Sequence, residues 1–345
     1  MASTSNPYSS EPAFPILAHS LLPQSCQPPE ITSVPRLQNH GLESWNLKDD
    51  VLKAFESPTE GVFRCGSVIG FSKLRNQNKE DDDNELIGWV SRSILTAQLC
   101  KTSPSPTTSI KAYIIHPASI DIFAPQKLLA SLLSTSQLPP LSRDEAISHL
   151  DSVQLFPVFD FAAAAQAITE ISYTLDMQRE ERQRQQTEPT EKSCTNPIFL
   201  VIAGLDTLTE GVIRASSTVR GTAVLSNTLR TLTQLSRIHN SHLSVMLVNT
   251  SGLGTATFNT HIVPGPMQET RGQGNNNQSA RENGIYSIFH ANETSLVPSL
   301  LMRTLEQGID THLFLSKVKS THVVEVIKDR VGDGLGRWCI WDTNE

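Results

Sequence analysis

The chain has 345 residues, 38% hydrophobic and 18% charged, with a formal net charge of −7. That length holds one large α/β domain with appendages or two small ones. The negative balance excludes a protein that coats nucleic acid by bulk charge, while leaving room for a local basic stripe.

No stretch approaches the roughly 20 apolar residues of a membrane helix, so no membrane partner is expected. A basic start followed by an apolar run is missing at the N-terminus, which argues against secretion. Cys26, Cys65, Cys100, Cys194 and Cys339 form no Cys-x-x-Cys pair. That spacing suits a reducing compartment and excludes a disulfide framework or a zinc site.

Residues 1–50 are rich in Pro, Ser and Gln without periodicity and are expected to be a disordered tail. "GVFRCGSVIGFS" from Gly61 predicts a first strand or pair of strands. The helix after it places Leu86, Val90, Ile94 and Ala97 on one face. "KAYIIHP" from Lys111 reads as a buried strand, and "APQKLLASLL" from Ala124 as a helix with Pro125 in its first turn. "VQLFPVFDF" from Val153 is strand-like, and "FAAAAQAITEISYTL" is helical by propensity. A charged, Gln-rich insertion is expected near 176–197, a helix extension fraying into a surface loop.

"PIFLVIAGL" from Pro197 is the clearest strand. The helix around Val219 to His239 buries Leu225, Leu229, Leu232, Leu235 and Ile238, and "LSVMLVNTSG" is the fifth strand. A second polar insertion, 254–284, shows no core-forming pattern. "THLFLSKV", "VVEVIKD" and "RWCIW" then predict three strands joined by short turns. Alternating strands and helices imply a mainly parallel sheet with helices on both faces. The final strands imply an antiparallel C-terminal edge extension. Without the tail and insertions about 250 residues remain, enough for a single domain over 51–345.

The "HNSH" pair, His239 and His242, is expected at a surface junction, and "GDGLG" in a hairpin turn, because an aromatic strand follows it. The Asp81–Asp83 run has no Gly-punctuated ligand spacing and reads as a solvated acidic surface loop. A working phosphate loop needs G-x-x-x-x-G-K-[ST] after a buried strand. Here Gly70 is followed by "FSKLRNQNKEDDDNEL", in which neither Lys73 nor Lys79 precedes Ser or Thr. Carboxylates occupy the helix N-terminus, where a phosphate would otherwise meet the positive end of the dipole. An acid at the end of a second buried strand should hold Mg²⁺. In "IFLVIAGLDTL" that position is Ala203, and Asp206 falls three residues later, as a turn or helix cap. Neither ATP nor Mg²⁺ is expected to bind, and the chain is expected not to be an enzyme.

From about Val62 to Trp341 the order of these parts resembles the RecA-like recombinases, specifically the diverged eukaryotic recombinase paralogues. "GSVIGFS" through "TAQL" is similar to the family's phosphate-loop strand and helix with the motif erased. "FLVIAGLDTL" is similar to its second nucleotide motif with Ala203 at the Asp, and "VMLVNTSG" to the strand ending at a sensor, here Asn249. The resemblance implies a RecA-like P-loop NTPase fold, and a DNA-contacting loop at 254–284. There Arg271 and Arg281 would meet phosphates, with Asn275, Asn276 and Gln278 beside them. Lys317 and Lys319 fall in a region where the family is often basic.

What this implies is a non-catalytic paralogue subunit of homologous recombination and double-strand break repair. It would support recombinase filament assembly on single-stranded DNA. Its partner would be the recombinase or another paralogue in a hetero-oligomer, DNA would be reached through that complex, and the location would be nuclear. A scaffold subunit of an Elongator-type tRNA-modification complex and a DNA-dependent ATPase with a rearranged loop are the alternatives.

Overall fold

The computed structural model describes residues 46–47, 49–50, 62–74, 80–101, 111–134, 141–185, 197–254, 285–289, 296, 299–319 and 321–341. Apolar runs bounded by turns form β1 (Val68–Lys73), β2 (Ala112–Pro117), β3 (Val153–Val158), β4 (Ile198–Ala203) and β5 (Leu243–Val248). They are joined by β6 (Thr311–Val318), β7 (Thr321–Asp329) and β8 (Trp338–Trp341) in one 8-stranded sheet, ordered β3-β2-β4-β5-β1-β6-β7-β8. Pairing is parallel from β3 to β6 and antiparallel across β6–β7–β8. The fold is therefore α/β, with the antiparallel edge extension expected from the late strands.

β1, β4 and β5 lie mid-sheet and are buried along their whole length, which is why they read as unbroken apolar runs. Successive side chains enter opposite layers. Ile198, Leu200 and Ile202 join a core with α4 (Phe161–Gln185), α5 (Leu205–Ala215), α6 (Thr218–Ile238) and α7 (Leu300–Gln307). Phe199, Val201 and Ala203 join the other, with α1 (Glu80–Lys101), α2 (Pro125–Leu133) and α3 (Arg143–Leu150).

Several sequence expectations need correction. α3, α5 and α7 were not anticipated. The helix extension expected at the start of the polar insertion is present: α4 continues to Gln185, carrying an exposed Glu180–Arg184 pair one turn apart. α1 begins at Glu80, so Asp81–Asp83 belong to the helix and not to a loop before it. Ile87, Val90, Ile94, Leu95 and Leu99 are buried, whereas Leu86 and Ala97 are only half-buried. Ile238 ends α6 exposed, while Leu225, Leu229, Leu232 and Leu235 are buried as expected. His239 and His242 are not at the surface: both are buried, with Asp176 of α4 3.3 Å from His239 Nε2. Burial first, then the charges of Arg182, His239 and Arg179, hold His242 down to about 4, so it sits neutral in the fold.

"GDGLG" does join antiparallel β7 and β8. Asp329 accepts from two of its amides, Gly332 and Gly334, and from Val331 just before it. Of the expected 1–50 tail, residues 1–45 lie outside the described residues, but its end is packed: Leu47 and Asp50 are buried, and Asp50 accepts from Val62 N at 2.7 Å. No described helix is long and apolar enough to cross a membrane.

Candidate functional site

Parallel strands of an open α/β sheet present their carboxyl ends to ligands, and the singled-out residues can be followed at the ends of β1, β4 and β5. Gly70 does not begin a loop. It lies within β1, buried, where a Cβ would sit 2.5 Å from Ile309 Cδ1, so its lack of a side chain serves packing. Gly70→Ala is expected to destabilise the fold by about 1–3 kcal/mol through overpacking, and Ile309→Val in the same chain to recover part of that loss. Urea unfolding of the two single variants and the double variant measures both.

Lys73 is the last residue of β1 and is buried. The chain leaving it is gripped on both sides: Leu253 N donates to Lys73 O (2.8 Å) and Leu74 N donates to Leu315 O (3.0 Å).

β4 ends at Ala203, fully buried and opposite Val248. Gly204 follows with φ 67, and a Cβ there would meet Pro117 Cγ at 2.7 Å, so both conformation and space call for glycine. That left-handed residue turns the strand directly into α5. Asp206 is thus neither past a loose turn nor a simple cap: it lies in the first turn of α5 at 0% exposure. Its Oδ1 accepts from Thr250 N (3.2 Å) and Thr250 Oγ1 (3.2 Å), and its Oδ2 from Ser251 N (2.6 Å). The carboxyl ties the segment after β5 to α5. Thr207 Oγ1 adds a 2.7 Å hydrogen bond to Thr250 Oγ1.

Asn249 follows β5 and is buried. Its amide N donates to Phe71 O (2.8 Å) and its Nδ2 to Ser72 Oγ (2.7 Å). Its Oδ1 is buried without a hydrogen-bond partner. Ser72 Oγ is also 2.8 Å from His312 Nε2, and His312 Nδ1 is 2.5 Å from Glu306 Oε2. A carboxylate only accepts, so His312 Nδ1 donates to Glu306. Lys328 closes the chain, 2.7 Å from Glu306 Oε1 and donating to the Glu306 carbonyl. Burial alone would raise the Glu306 carboxyl; His312 and Lys328 override it and hold it at about 2. Burial pushes the Lys328 ammonium down despite Glu306, so the pair favours its anion more than its cation.

Sequence reasoning thus named Asn249 but missed Ser72, His312, Glu306 and Lys328. His312 and Ser72 stand 240 positions apart, and only the pairing of β1 with β6 joins them. At these strand ends Ala203 offers no side-chain oxygen, and both oxygens of Asp206 are engaged by Thr250 and Ser251. Among the described residues no group of three or more His, Cys, Asp or Glu side chains is arranged to hold a metal. Lys79, Arg271, Asn275, Asn276, Gln278 and Arg281 lie outside the described residues.

No family model matches the chain, and no curated protein does. Among solved structures it is similar to one described as "Crystal structure of the RadB recombinase", at 14% identity, over 84% of this chain and 91% of that one, with a TM-score of 0.43.

Proposed function

We propose that this chain is a non-catalytic, RecA-like subunit of homologous recombination, a nuclear paralogue that helps a recombinase filament assemble on single-stranded DNA. What carries the reading is the end of β4. Ala203 stands where a metal-holding acid would be needed, and the nearby Asp206 spends its carboxyl on Thr250 and Ser251. A sheet with this order and a strand end committed to its own backbone suits a subunit that lends surface, not ATP hydrolysis. Arg271 and Arg281 of the 254–284 segment are the proposed phosphate contacts there.

Two measurements test this. Calorimetric titration with ATP and Mg²⁺ should give no saturable heat up to millimolar nucleotide; micromolar binding would return the chain to the ATPases. Affinity purification followed by mass spectrometry should recover a recombinase or another paralogue in stoichiometric amount. Recovery of tRNA-modification subunits instead would overturn the recombination assignment.

A further inference from the structure

We propose that the β7–β8 edge of the sheet, centred on Trp338, is a binding surface for single-stranded nucleic acid. It is distinct from the 254–284 segment, and it rests on the reading above in taking single strands as what this chain meets.

β8 is the last strand of the sheet. Cys339 and Trp341 on one side of it are buried, whereas Trp338 and Ile340 on the other are 46% and 54% exposed. Trp338 is nevertheless fixed. Phe289 meets it edge-on, with ring centroids 5.2 Å apart and an interplanar angle of 86°. Phe289 is itself held through Glu325, the residue opposite Trp338 in the β7–β8 register. That buried carboxyl accepts from Ser287 Oγ at 2.7 Å and Ile288 N at 2.6 Å. A half-open indole locked on a sheet is a stacking platform, and stacking on any base is tolerant of sequence.

The exposed charge of these last strands is inverted relative to the chain, whose net is −7. Among the described residues from 311 to 341, the exposed ionisable side chains are Lys317, Lys319, Arg330, Arg337 and a single acid, Asp333. Glu325 and Asp329 are turned to internal donors. Lys319 holds the tip of the β6–β7 turn at φ 58, a left-handed conformation that Gly or Asn would adopt with less strain. Lys319 stands before the start of β7 and Arg330 and Arg337 beyond its end. The strand's nine residues span about 30 Å, room for several extended nucleotides. Lys317, opposite His322, belongs to the other face of the sheet. Charge complementarity therefore selects a polyanion with flat apolar rings over an apolar peptide.

The test is anisotropy of fluorescein-labelled oligo(dT), with oligo(rU) as a second arm, titrated with the full chain over a range of salt. Trp338→Ala should weaken binding about tenfold and Trp338→Phe should largely preserve it. Lys319→Glu with Arg337→Glu should weaken binding and flatten its salt dependence. An iodouridine-substituted oligonucleotide should cross-link to Trp338. The two oligonucleotides tell DNA from RNA.

Equal binding by wild type and Trp338→Ala, cross-linking confined elsewhere, or no oligonucleotide binding at all would overturn this surface. So would loss of a co-purified protein on Trp338→Ala with oligonucleotide binding intact, which would make the edge a protein interface. If Arg271→Glu and Arg281→Glu abolish binding while Trp338→Ala does not, this surface fails and the subunit reading stands. That reading falls separately, by ATP binding or by the identity of its partners.

Discussion

Asp206→Ala is expected to lower stability by about 3–5 kcal/mol, among the largest losses a single substitution can cause here. The alanine leaves three donors facing a void: Thr250 N, Thr250 Oγ1 and Ser251 N, all of which now end on one fully buried carboxyl. The threonine hydroxyl has Thr207 as a second partner, 2.7 Å away, but the two amides belong to fixed backbone. Asp206→Asn should cost less, because its carbonyl oxygen still accepts while its NH₂ group opposes an amide donor. Urea unfolding of the three chains gives the ordering.

The same series separates two roles for the residue. A carboxyl that fastens the exit of β5 to α5 governs unfolding with or without Mg²⁺. A carboxyl that holds a metal would leave the stability of the metal-free chain nearly unchanged and would lose an Mg²⁺-dependent gain. The second pattern would overturn the reading of the β4 end on which the proposed function rests.

How far the sequence could reach is clearest at such residues. β4 and β5 were legible because a strand buried on both faces is a short apolar run with turn residues beyond it. The late strands announced their antiparallel pairing by following one another without a helix. α3 is legible in the sequence: Ser142 and Glu145 carry the capping-box spacing, and both of its hydrogen bonds form. α5 was hidden by its start, since "AGLDTL" reads as a turn unless Gly204 is known to be left-handed. Gly70 misled for the opposite reason. A glycine after an apolar run suggests a loop, and only the approach of Ile309, 239 positions later, shows a packing contact. Asn249 was reachable by its position after a strand, but its partners depend on strand order, which local pattern does not encode.

Glu306→Ala is expected to cost about 3–5 kcal/mol near neutral pH, because it strands the largely enclosed ammonium of Lys328 and the ring nitrogen of the buried His312. Glu306→Gln keeps the shape and part of the hydrogen bonding, so it isolates the charge. The Glu306 carboxyl is held at about 2, below its ordinary 4.5. A carboxyl so depressed stabilises the fold fully above its unfolded value, and the contribution fades as pH falls from about 4.5 towards 2. The depression corresponds to roughly 3 kcal/mol at neutral pH. The measured gap should be smaller, because burial works against the Lys328 ammonium that the carboxylate requires.

The stability gap between wild type and Glu306→Gln in urea unfolding should therefore be full above about pH 4.5 and close as pH falls from there towards 2. A gap that stayed constant down to pH 2 would mean that shape and hydrogen bonding, not charge, set the value of this site. The buried line from Asn249 through Ser72 and His312 would then be a neutral network, and Lys328 would owe its place to the Glu306 carbonyl rather than to its carboxylate.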